Sequence, residues 1–219
     1  MINRELIRIK IVQLTYAYYQ NGNRNIDVAE KELLFSLSKA YHLYHYLLAL
    51  VVAVSKEARK HYDVEVARAN RENTAMPSSK FVDNKFAIQL EANQQLCDFI
   101  STQKQTWDDD IEFVRKLYSQ IVQSRIYTDY MSSDDSSYEA DRELWRKLYK
   151  TFIMENEELD ALLEEKSLYW NDDKEIVDTF VLKTIKRFDP AMMISRNCCR
   201  SIKTTKTRTS HVNFSAQRY

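Results

Sequence analysis

The chain has 219 residues with one glycine, two prolines and three cysteines, and its 32 basic side chains balance 32 acidic ones. That length suits one large domain or two small ones. So little glycine and proline excludes hairpin-rich β folds, whose turns depend on those residues, and excludes a glycine-rich phosphate loop, because Gly22 stands alone.

Formal neutrality hides an asymmetry. Residues 190–219 carry six Lys or Arg and no acid, so residues 1–189 hold 26 basic against 32 acidic side chains. The body is mildly acidic, and a polyanion would have to be met by a local basic patch. Cys97, Cys198 and Cys199 make no CxxC and no disulfide framework, which implies reduced thiols and a cytoplasmic protein. Arg4, Glu5, Arg8 and Lys10 interrupt the opening segment, so no signal peptide is visible. The most apolar run, 43–54, includes Tyr and His and is too short to span a bilayer. It reads as a core helix, with no membrane partner.

The first helix is expected over 2–20. Ile2, Leu6, Ile9, Val12, Tyr16 and Tyr19 form one apolar row, with Ile7, Ile11, Leu14 and Tyr18 beside it. Together they predict a wide buried face. Arg4, Arg8 and Thr15 are left on an exposed line, with Lys10 and Gln13 next to it. Asn21-Gly22-Asn23 is the strongest turn signal. Asp27 opens the second helix, with Glu30 completing a capping-box pattern. Leu33, Leu37, Ala40, Tyr44, Leu47, Val51, Val54 and Ala58 then repeat in alternating steps of four and three. That spacing is the seam of a packed helix pair. The helix is expected to run to about Ala69. A linker follows over 70–84, with Pro77 and two serines.

Further helices are expected over 86–101, 107–131, 138–155, 157–169 and 174–188. The total is about seven, giving an all-α bundle, with the polar SSDDSS loop at 132–137. Chemistry-bearing clusters are sparse. His42 and His45 lie three apart among Leu and Tyr, where interfacial packing accounts for them better than a metal does. Asp108, Asp109 and Asp110 suit the first turn of a helix, which favours negative charge; Asp172 and Asp173 read the same way. No nucleophile-plus-base arrangement is visible. No enzyme activity, metal or cofactor is therefore expected. Tyr16, Tyr18 and Tyr19 could form a stacking platform for single-stranded nucleic acid, although core packing is the better expectation for Tyr16 and Tyr19.

Arg4 and Arg8, followed by Val12-Gln13-Leu14-Thr15-Tyr16-Ala17-Tyr18, resemble the opening of the NusB family. The resemblance spans residues 1–60, including EKELLFSLSKAYHLYHYLL, and is to the long, extended members. It implies an all-α, non-enzymatic RNA-binding protein that acts in transcription antitermination. Its implied partners are boxA-type RNA of ribosomal leaders, the small-subunit ribosomal protein NusE, and the RNA polymerase antitermination complex. By position, Arg4, Arg8 and the adjacent Lys10 match the family's RNA-contacting segment. The family often has three or four arginines there, so affinity here should lean on the partner. Two rivals stay open: a helical interaction scaffold without nucleic acid, and the NusB-like amino-terminal domain of an rRNA methyltransferase.

The organisation implied is NusB-like helices over 1–69, the linker 70–84, an extended helical region over 85–189, and a disordered tail over 190–219. The tail can be back-translated so that a frame shifted by one base reads NDDKQELLPEYKDDEDKDFARKLFSATI. That peptide is acidic and then amphipathic, like the body. A one-base deletion near Ala191 is therefore expected to have replaced the continuation of the second bundle. Reading the gene past Asp189 tests this: a shifted frame that closes at once would refute it.

Overall fold

The structure is a computed structural model and describes residues 4–20, 22 and 25–189. The expectations for Ile2, Asn21, Asn23, Cys198, Cys199 and the tail 190–219 lie outside the described residues. Every regular element among those residues is helical, as the scarcity of turn-forming residues requires.

The fold is organised on α2 (Ile26–Glu72), which is 47 residues long. The side chain of Asn25 accepts from the backbone N–H of Asp27, so Asn25 caps this helix in place of the capping box expected at Asp27. Its far end closes on Asn73, in the left-handed conformation with φ 48°. The amide of this residue bonds to the carbonyl of Ala69, the arrangement that ends helices at Gly or Asn. Between Leu43 and Val52, α2 is buried nearly all round, as a central helix should be. One 18-residue window of α2 is apolar and long enough to cross a membrane, but 61% of it is buried inside the protein.

α1 (Arg4–Gln20) packs back along α2 after the turn at Gly22, whose φ is +61°. Eight further helices follow among the described residues. They are α3 (Lys85–Glu91), α4 (Gln94–Thr102), α5 (Ile111–Val122), α6 (Arg125–Ser132), α7 (Tyr138–Leu148), α8 (Glu157–Lys166), α9 (Leu168–Asn171) and α10 (Lys174–Arg187). α5 and α10 lie against α2, and α3 and α10 against α7.

Among the described residues there are ten α-helices where the periodicity suggested seven, because local breaks cut three long segments. Asn93 caps α4 through the amide of Leu96, and Ser124 caps α6 through that of Tyr127. Ser167, in extended backbone, separates α8 from α9. The Asn93 and Ser124 side chains compete with the helix for its own amides, whereas Ser167 breaks it by its extended backbone; the apolar rows run straight through all three. After α7 the chain makes a π-helical turn over Tyr149–Ile153, with the amide of Met154 bonded to the carbonyl of Tyr149 at 3.0 Å. Tyr149 and Ile153 are both fully buried there.

The stretch expected as a linker is packed. Phe81 is buried, Asn84 caps α3, and the Lys80 ammonium bonds to the carbonyls of Tyr130 and Ser133. The buried residues of α2 and of α3 to α10 form one continuous core. Tyr46 stacks on Trp107 with ring centroids 4.4 Å apart, and Trp107 donates its indole N–H to the carbonyl of Tyr46 at 2.8 Å. Trp170 likewise donates to the carbonyl of Lys39 at 3.1 Å, while the hydroxyls of Tyr46, Tyr130 and Tyr149 donate to carboxylates.

Candidate nucleic-acid interface

α1 is where basic and aromatic side chains meet solvent. Arg4 and Arg8 are exposed, one turn apart, and neither forms an ion pair among the described residues. Ile9, Ile11, Val12, Tyr16 and Tyr19 are exposed with them, Val12 at 68%, Tyr16 at 67% and Tyr19 at 79%. At about 3.6 residues per turn, Arg4, Arg8, Val12, Thr15 and Tyr19 fall on one side of the helix. Gln20 donates from its amide nitrogen to the Tyr16 hydroxyl at 2.9 Å, and the rings of Tyr18 and Tyr19 meet edge to face at 6.2 Å.

This reverses the expected face. The row Leu6, Ile9, Val12, Tyr16 and Tyr19 was expected inside, yet only Leu6 is buried. The neighbouring row is turned inward in part: Ile7, Leu14 and Tyr18 are half-buried. The cause is that α1 sits at the margin of the bundle, where, among the described residues, α2 and the start of α10 cover one flank only.

Lys10 is a second correction. Expected beside the exposed line, it is 4% exposed, and its ammonium lies 2.6 Å from Oδ1 of Asp173. It has no surface to offer RNA. Its partner Asp173 is equally buried, and Oδ2 of that carboxylate has no hydrogen-bond partner among the described residues. Burial pushes the Asp173 carboxyl up, against the pull of Lys10. Next to this pair, Gln13 reaches Oδ2 of Asp172 at 3.5 Å. Asp173 was read only as a helix-start acid. The available signal was Lys10 itself, a lone cation between two apolar rows.

The other clusters have structural roles. His45 is buried, and its Nδ1 lies 2.9 Å from the carbonyl of Tyr41, which requires that nitrogen to carry the proton. Burial lowers its pKa to about 4, so the ring is neutral at pH 7. His42 and His45 both pack against Phe99. Among the described residues no group of three or more His, Cys, Asp or Glu is placed to hold a metal ion. Asp108, Asp109 and Asp110 precede α5 and do not lie in its first turn. Asp110 is bound by Lys166 at 2.6 Å and by the Tyr46 hydroxyl at 3.3 Å.

Lys174, Asp178 and Tyr149 form a buried polar knot. Tyr149 donates to Asp178 at 2.6 Å, and Lys174 lies 3.2 Å from the same carboxylate. An open cleft of about 460 Å³ lies between Ser78–Lys85 and Tyr130–Asp141, but its lysines are occupied by backbone carbonyls. Compared with known proteins, the chain matches no family model, no curated protein and no solved structure.

Proposed function

We propose that this chain is an all-α, NusB-type RNA-binding protein of transcription antitermination, working in the cytoplasm without catalysing a reaction. The observation that carries the reading is the outward face of α1. It sets two guanidinium groups that form no ion pair among the described residues, Arg4 and Arg8, beside the exposed rings of Tyr16 and Tyr19. Guanidinium groups meet phosphates, and exposed aromatic rings give unstacked bases a surface to stack on. The resemblance of residues 1–60 to the family's opening supplies the ligand: a boxA-type RNA, bound together with a NusE-like ribosomal protein within the RNA polymerase antitermination complex. Lys10, buried against Asp173, does not belong to this face. Two arginines are few for a phosphate-binding surface, so the partner protein is expected to contribute much of the affinity.

The test is binding of a labelled boxA-type RNA across a salt series, with and without the NusE-like protein. Affinity should fall with salt and rise with the partner. Replacing both Arg4 and Arg8 by Ala should weaken binding at least tenfold and flatten the dependence of log affinity on log salt by about 0.7 per arginine. Unchanged affinity in that double variant rejects the RNA reading.

A second reading has its own observation. Phe35 and Tyr169 meet edge to face at 5.4 Å and are both exposed, with Leu168 beside Tyr169 at 81% exposure. An apolar patch of this kind marks protein contacts. It favours a helical interaction scaffold if RNA binding is absent.

A further inference from the structure

α1 has two apolar rows, and hydrophobicity alone does not decide which one faces the body. Ile9, Val12, Tyr16 and Tyr19 would bury at least as much apolar surface as Ile7, Ile11, Leu14 and Tyr18. The structure nevertheless turns the first set out. Within α1 only Leu6 and Lys10 are buried. One of these two is a charge, held 2.6 Å from Asp173 at the start of α10.

This ion pair is a weak adhesive. Both charges are stripped of water, one carboxylate oxygen is unpartnered, and burial pushes the Asp173 carboxyl up despite the ammonium beside it. Desolvation thus outweighs the attraction. Such a pair acts instead by penalising alternatives. If α1 rotated to bury Val12, Tyr16 and Tyr19, Lys10 would swing away and Asp173 would be left buried without a counter-charge, which is strongly unfavourable. A buried polar residue fixes the register of paired helices by the same logic. The weak contact of Gln13 with Asp172 lies on the same flank and favours the same setting.

We propose that Lys10 and Asp173 are positioning residues that fix the rotation of α1 and so present Arg4, Arg8, Val12, Tyr16 and Tyr19 to solvent. The extended helical region thereby sets which face of the amino-terminal helix is available. The consequence for RNA rests on the function proposed above; the rotational setting does not.

The experiment uses the full chain with Cys97, Cys198 and Cys199 replaced by Ser, and a single reporter thiol from either Val12→Cys or Leu6→Cys. Thiol-reagent rates read the exposure of each position. In the parent, the Val12→Cys thiol should react at least about tenfold faster than the Leu6→Cys thiol, since access governs thiol reactivity. Adding Lys10→Met with Asp173→Leu replaces the pair by apolar groups of similar size. The unfolding midpoint should hold while the ratio of rates collapses towards one. A retained ratio overturns the proposal. Asp173→Asn, which removes the charge and keeps the shape, is the second variant. It too should lower the ratio, and an unchanged ratio overturns the proposal even if the double variant fails to fold. RNA binding is measured in parallel. A parent chain that binds RNA should lose affinity in both variants although Arg4 and Arg8 are intact. A parent that never binds RNA, yet shows the collapsing ratio, rejects the RNA reading and keeps the rotational one.

Discussion

The middle of α2 and the whole of α1 both carry apolar rows, denser in α2 than in α1, and they end in opposite surroundings. Leu43, Leu47, Leu50, Val51 and Val54 of α2 are 0% exposed, whereas Val12, Tyr16 and Tyr19 of α1 are each at least 67% exposed. The difference lies in the neighbours. α2 is flanked by α1, α3, α4, α5, α9 and α10, while α1 leans mainly on α2 and touches the start of α10 through Lys10. Apolar content makes a helix able to be buried; the number of helices around it decides how much of it is. The face of α1 that no described helix covers also carries Arg4 and Arg8, and it is the face proposed above to meet RNA.

The sharpest way to break this comparison is to remove the same kind of atoms from both regions. Leu47→Ala should cost about 2–5 kcal/mol, because a filled core cannot fully collapse around the cavity. Urea unfolding measures it, and a loss below about 1 kcal/mol would show that α2 is not the centre of the core. Next in size is Lys10→Met, which leaves Asp173 buried without its counter-charge. It should cost about 3 kcal/mol, with hydrogen exchange rising in α1 before it rises in α2. Equal rates in the two helices would contradict the marginal position of α1.

The third prediction concerns pH. His45 has its folded pKa lowered from 6.5 to about 4 by burial. A histidine held neutral in the fold gives stability that is complete above its unfolded pKa and is lost as pH falls from about 6.5 towards 4. The loss over that window should approach 3 kcal/mol. Asp173 and Asp178, both pushed up by burial, act in the opposite sense, since their protonation favours the fold as pH falls towards 4. The clean readout is therefore the difference between the native protein and His45→Gln at pH 7 and at pH 5. A flatter profile in the variant is expected, and identical profiles would remove His45 as the cause. The smallest effect belongs to Val12→Ala, which should shift stability by no more than about 0.5 kcal/mol. A larger loss would mean that α1 buries the row containing Val12.

Several features were readable from residue order. The seam from Leu33 to Ala58 lies along α2, with Ala40, Leu47, Val51, Val54 and Ala58 buried. The breaks at Asn93, Ser124 and Ser167 were present as residue types but not as signals, because the same residues also occur within helices. For the candidate site, the exposure of Arg4 and Arg8 could be read from charge alone. The outward turn of Tyr16 and Tyr19 and the inward turn of Lys10 could not, since each depends on a partner element far along the chain.

By itself, the sequence determined an all-helical protein with a long central helix and a basic start to its first helix. One glycine in 219 residues and a repeat near 3.5 leave little else for the backbone to do. The tertiary structure decided which face of that first helix meets solvent. The physical reason is local in space and remote in sequence: Lys10 is buried against Asp173, and no helix among the described residues covers the opposite flank.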